Sequence, residues 1–156
     1  MKKTKVKTKE GDLFVVPLIQ GGYALGLIAR QFKKIVLGYF FAKVYPQVPE
    51  SVIGSDLKVE KIIFIGKFSS LAFEDGNWPL VKAENFVFNR DEWVIPVFKM
   101  QHPLTEEYFA VIYDETLLNE KRYKITKEDA DKLFKYGLNG YGNLREILSE
   151  ILDKKV

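Results

Sequence analysis

Hydrophobic positions fall into short dense runs along most of the chain and change to a helical spacing near its end. Leu13 to Ile19 and Tyr23 to Ala29 are two apolar runs separated by Gln20-Gly21-Gly22, which reads as a β-hairpin closed by a glycine turn. Pro17 has no N–H to give to a ladder, so the first strand is expected at an edge or bulged there. Ile35 to Tyr45 is a third strand, and Gly38 within it predicts a bulge or bend. Pro46 to Ser55 holds two prolines, a glycine and two serines and reads as a loop. Lys61 to Gly66 has the pattern of a buried strand, while Phe68 to Phe73 fits helix or strand. Glu74-Asp75-Gly76-Asn77 is a turn before Trp78 to Val81. Trp93 to Met100, Tyr108 to Tyr113 and Lys121 to Ile125 are further strands, with a turn at Gln101-His102-Pro103.

At Thr126 the period changes. Thr126-Lys-Glu-Asp129 is a helix-start pattern with Thr126 as cap, Ala130, Leu133 and Phe134 on one face, and Gly137 as the stop. Gly140-Tyr-Gly142 is a turn, and Asn143 is expected to cap a last helix. Leu144, Ile147, Leu148, Ile151 and Leu152 recur at i, i+3, i+4, i+7 and i+8, a stripe that must be buried. Lys154 and Lys155 follow where the helix dipole favours cations. Strands followed by helices predict an α+β fold: a strongly bent antiparallel sheet or small SH3-like barrel with two C-terminal helices. The 156 residues predict a single domain, 1–156, with a flexible basic N-terminus (1–9), a mainly β part (10–125) and a helical part (126–156).

Composition narrows the picture. The chain is 47% hydrophobic and 14% aromatic, the latter favouring strands and a filled core. It has no Cys, which removes disulfides, thiolate metal sites and Cys nucleophiles. No apolar run is long enough to predict a membrane span, and the basic start is not followed by a signal-peptide core, so a cytoplasmic protein is expected. The net charge of +3 is unevenly spread. Five Lys lie in residues 1–9. Residues 30–73 hold 7 Lys/Arg against 3 Asp/Glu, and residues 74–131 hold 13 Asp/Glu against 7 Lys/Arg, a net −6.

The glycine-rich run is not a phosphate cradle. Gly21, Gly22 and Gly26 lack the Lys of a Walker loop, and the dinucleotide spacing, helix and acidic residue are missing. His102 is the one histidine, and before Pro103 it reads as a turn residue. Adjacent carboxylates at Glu74-Asp75, Asp91-Glu92, Glu106-Glu107 and Asp114-Glu115 point apart in strands or to solvent in turns, so none is a convincing catalytic pair. No catalytic, cofactor or metal site is expected. Alternation puts Tyr39, Phe41, Lys43 and Tyr45 on one face, either a base-stacking platform or a surface packed under a helix. A small β-barrel nucleic-acid-binding module is therefore the alternative function, disfavoured because the rest of the chain is not basic.

One stretch carries a family likeness. Lys9-Glu10-Gly11-Asp12-Leu-Phe14-Val-Val-Pro17-Leu18, then Gly22-Tyr23-Ala24-Leu-Gly26-Leu, resembles the opening of the bacterial immunity-protein-twenty-six family, and Trp78 after Asp75-Gly76-Asn77 matches its later Trp. The resemblance covers about residues 5 to 100. It implies a non-catalytic protein encoded beside a polymorphic or contact-dependent toxin, which protects the producing cell by binding the toxin. It also implies that Gly11, Asp12, Pro17, Tyr23, Gly26 and Trp78 serve the fold. With the acidic bias of residues 74–131, a basic nuclease is one candidate partner. Glu106, Glu107, Asp114 and Glu115 are expected in or near the contact surface.

Overall fold

The computed structural model describes residues 6–153. Part of the lysine-rich start and the Lys154-Lys155 pair lie outside the described residues. Three strands open the chain: β1 (Leu13–Pro17), β2 (Tyr23–Phe32) and β3 (Ile35–Tyr45). A short β4 (Ser51–Ile53) and two 3-10 turns (Gly54–Leu57 and Val59–Lys61) lead to β5 (Ile62–Ser69), one helical turn α1 (Leu71–Glu74) and β6 (Leu80–Glu84). After a loop come β7 (Phe98–Gln101), β8 (Tyr108–Tyr113) and β9 (Glu120–Ile125). The chain ends with α2 (Lys127–Ala130), β10 (Phe134–Lys135), β11 (Leu138–Asn139) and α3 (Tyr141–Asp153).

The strands form two open sheets. The larger has the order β11-β5-β3-β2-β1-β6-β4 and the smaller β10-β7-β8-β9. Neither returns to its first strand, so the protein is a sheet-rich α+β fold without barrel closure. Most pairings are antiparallel, and the β11–β5, β4–β6 and β10–β7 pairs are parallel.

Each central strand is buried on both sides. Leu13, Val15, Leu37, Tyr39 and Phe41 enter one core with Phe98, Val111 and Tyr113 of the small sheet. Their neighbours Phe14, Val16, Val36 and Phe40 enter a second core with Leu144, Leu148 and Leu152 of α3. The molecule is therefore layered: helix, seven-stranded sheet, four-stranded sheet. Two-sided burial is why these strands read as unbroken apolar runs rather than alternating ones. Ile147 and Ile151 flank the α3 stripe half-buried.

The glycine-rich run is the β1–β2 hairpin. Leu18 donates its N–H to the Gly22 carbonyl at 2.9 Å, and Gly21 and Gly22 take φ of 99° and 80°, which suits residues without a Cβ. Gly26 has a different role: it stands opposite Phe14 across the hairpin, and a Cβ there would lie 2.3 Å from the Phe14 ring. The missing side chain is the space the ring fills. Pro17 is tolerated because β6 pairs β1 at Leu13 and Phe14 and has left the ladder before Pro17.

The penultimate helix is much shorter than its sequence pattern. Thr126 caps it as expected, its Oγ accepting from the Asp129 N–H at 3.1 Å, but the helix stops at Ala130. Phe134 and Lys135 pair with β7 of the small sheet, and Leu138 and Asn139 pair with β5 of the large one. This strap ties the two sheets together. Backbone pairing to both and the packing of Phe134 on Phe64 outweigh a helix propensity that is a weak prior. The last helix begins at Tyr141, so Asn143 lies in its first turn and does not cap it.

Candidate functional site

The four acids expected at the contact surface lie at opposite ends of β8. Glu106 and Glu107 precede the strand and Asp114 and Glu115 follow it. Six residues at ~3.3 Å each separate the pairs by about 20 Å. The structure does not bring the four into one patch.

The two ends are built differently. At the β8–β9 turn, Asp114 accepts from the Thr116 N–H at 3.0 Å, the Thr116 hydroxyl at 2.6 Å and the Asn119 amide at 2.9 Å. These donors, Thr116 first, hold its carboxyl below the usual range. Glu115 is 60% exposed but accepts from Arg30 at 3.0 Å and Arg90 at 2.6 Å, and Arg90 also pairs with Glu10. Asp114 holds its own turn, and Glu115 ties that turn to Arg30 and Arg90.

At the β7–β8 turn, His102 organises the backbone. Its ring Nδ1 accepts from the N–H groups of Leu104 and Thr105, both at 3.2 Å, and its backbone N–H donates to the Glu107 carbonyl at 2.8 Å. His102 is thus a turn residue, as its place before proline suggested. The ordered turn presents Leu104, 88% exposed, together with Glu106 and Glu107. Glu107 makes one exposed pair with Lys124 at 3.5 Å, a contact of small energy. The Glu106 carboxylate makes no ion pair among the described residues.

Among the described residues there is no group of three His, Cys, Asp or Glu placed to hold a metal ion. The proposed stacking platform is also dismantled. Tyr39 and Phe41 are buried in the core between the sheets, and the Tyr39 hydroxyl donates to the Val94 carbonyl. Burial raises the Tyr39 hydroxyl to about 12, opposed by Arg30. Lys43 is exposed, and Tyr45 donates to Asp56 at 2.9 Å.

Sequence reasoning missed two buried cations. Arg30 donates to the carbonyls of Ala29, Trp93 and Arg90 as well as to Glu115. Lys67 donates to the Leu117 carbonyl at 3.0 Å and lies 3.8 Å from the Tyr113 ring centroid. Burial lowers the Lys67 amine, and Glu120 partly opposes it. Each is a lone charge at or within an apolar run, Ile28-Ala29-Arg30 and Gly66-Lys67-Phe68, and that is the signal that marks them.

A family model described as Immunity protein 26 matches residues 9–110, well over half of the chain. The chain belongs to the immunity protein 26 family. No curated protein and no solved structure matches it. The span matched to the immunity protein 26 model runs from Lys9, before β1, to Ala110 within β8. It contains the hairpin glycines, Trp78, and the turn bearing Leu104, Glu106 and Glu107. Asp114, Glu115 and α3 lie beyond it.

Proposed function

We propose that this protein is a cytoplasmic bacterial immunity protein that binds and blocks a cognate toxin domain and performs no chemistry itself. Membership of the immunity protein 26 family carries this reading. The toxin is proposed to be a basic nuclease domain of a polymorphic or contact-dependent system. Of the four acids, the turn pair Glu106 and Glu107 supports this contact best, with Leu104 as its apolar centre, because an ordered turn loses little entropy on binding. Asp114 and Glu115 would join only a partner wide enough to span β8.

The test is co-expression with the toxin domain encoded beside the gene. Cells should survive, and the two proteins should co-purify. If that domain stays lethal and no complex forms, the reading is wrong.

A further inference from the structure

The outer face of the four-stranded sheet holds a cleft of ≈ 370 Å³ where β7, β8 and β10 meet the end of α2. Its chemistry follows from the strand register. Lys135 of β10 stands directly beside Lys99 of the parallel β7. Register partners face the same side, so two ammonium groups share one wall, while Phe98 and Phe134 turn inward to the core. Lys99 is half-buried and Lys135 exposed. Like charges placed directly opposite one another destabilise a sheet.

A carboxylate between them would relieve that repulsion. Among the described residues, neither Lys99 nor Lys135 is in an ion pair. Asp131, which also lines the cleft, pairs with neither. Within the same sheet Arg122 pairs with Glu120 at 2.9 Å and Lys124 with Glu107 at 3.5 Å, while Lys121, like Lys99 and Lys135, has no ion pair among the described residues. Tyr108 also lines the cleft, and its hydroxyl makes no hydrogen bond among the described residues. The Gln101 amide is already donated to the Glu106 carbonyl at 3.3 Å.

We propose that this cleft binds an oxyanion, a phosphate or carboxylate group of a small ligand, held between Lys99 and Lys135 with Tyr108 as a further donor. The bound group supplies the counter-charge that the chain leaves out. Asp131 in the same lining disfavours a second anionic group and accepts from a hydroxyl on the same ligand. This site does not depend on toxin binding.

The test is thermal unfolding of the full chain in inorganic phosphate, and separately in acetate, against chloride at matched ionic strength. At least one of the two oxyanions should raise Tm saturably, and the Lys99 and Lys135 amide resonances should shift with one shared dissociation constant. K135Q should melt at or above the wild type in chloride, because the repulsion is gone, and should lose at least tenfold in oxyanion affinity. K121Q, on the same face but outside the cleft, should respond like the wild type. The proposal is overturned if the Tm rise is unsaturable or persists in K135Q, which would be general screening. It is equally overturned if K135Q melts lower in chloride, or if K121Q loses the response to the same extent.

Discussion

The two faces of the seven-stranded sheet are covered in contrasting ways. Toward α3 the cover is aromatic and aliphatic. Phe14 packs edge-on against Phe40 at 5.7 Å and Phe73 at 5.1 Å and stacks with Trp78 at 6.0 Å. The helix is pinned along its middle, where Ser149 accepts from the Ile19 N–H and Arg145 donates to the Pro17 carbonyl. Toward the small sheet the core around Trp93 is ringed by buried charges and phenols: Arg30, Asp56, Lys67, Tyr39, Tyr45 and Tyr113. The reason lies in what each cover does with its backbone. A helix satisfies most of its own N–H and C=O groups, so an apolar stripe is enough to seat it. The loops at residues 85–97 and 114–119 leave carbonyls in need of donors, and Arg30 and Lys67 supply them. One face is held by shape, the other by polar ties.

Removing α3 tests the first half of that contrast most severely. Deleting residues 141–156 loses Leu144, Leu148 and Leu152, at ~1.5–3 kcal/mol each, a sum comparable with the ~5–15 kcal/mol stability of a whole domain. Cooperative unfolding and amide dispersion should vanish; an unchanged Tm would break the claim.

Phe14→Ala should cost about 3–5 kcal/mol in denaturant unfolding. Gly26→Ala should cost about 1–3 kcal/mol through overpacking on the same ring. In the double variant the Gly26→Ala penalty should largely disappear, since the atom it strikes is gone. Simple additivity would show that Gly26 is needed for some reason other than the ring.

On the other face, Arg30→Met should cost about 3 kcal/mol, because three carbonyls lose a donor and Glu115 loses a partner. Arg30→Lys should recover little, lacking the planar fork.

The faces should also part in alkali. Burial raises Tyr39 to about 12, and Tyr45 and Tyr113 are raised too, all from 10.0. Folded tyrosines keep protons that unfolded ones release, so stability is full below pH 10 and falls as pH rises above it. Lys67, lowered from 10.5, acts in the opposite direction: its cost is full below its folded pKa and relieved toward 10.5. Three tyrosines outweigh one lysine, so Tm should fall above pH 10. In single-Trp variants, Trp93 fluorescence between the sheets should change before Trp78 fluorescence under α3. Simultaneous change would mean that the two faces melt as one. The smallest effect expected is Thr126→Ala, about 1 kcal/mol or less by thermal melt, because its cap serves a single helical turn.

Much of the fold was legible in local pattern. The glycine hairpin, the third strand, β8 from Tyr108 to Tyr113 and the α3 stripe all depend on the period of apolar residues and on turn chemistry, which act over a few neighbours. The same holds for His102, whose turn is closed within six residues. Other features were not legible. The pattern from Thr126 to Gly137 is a sound helix, yet the chain uses it as a strap because partners 36 and 71 residues away compete for its backbone. The candidate acids illustrate the same limit: charge counted along residues 74–131 does not reveal that β8 separates them or that Arg30 and Arg90 engage Glu115.

By itself, the sequence determined the class of protein and its local elements. The order from Gly11-Asp12 through Pro17-Leu18 to Gly22-Tyr23 carried the family, and the apolar periods carried the strands and the last helix. Tertiary structure alone decided which face each strand shows to which core, that Tyr39 and Phe41 are packed rather than offered to a ligand, and that Lys99 and Lys135 stand side by side. Periodicity is a property of neighbours along the chain, whereas register and burial arise from segments that meet only on folding.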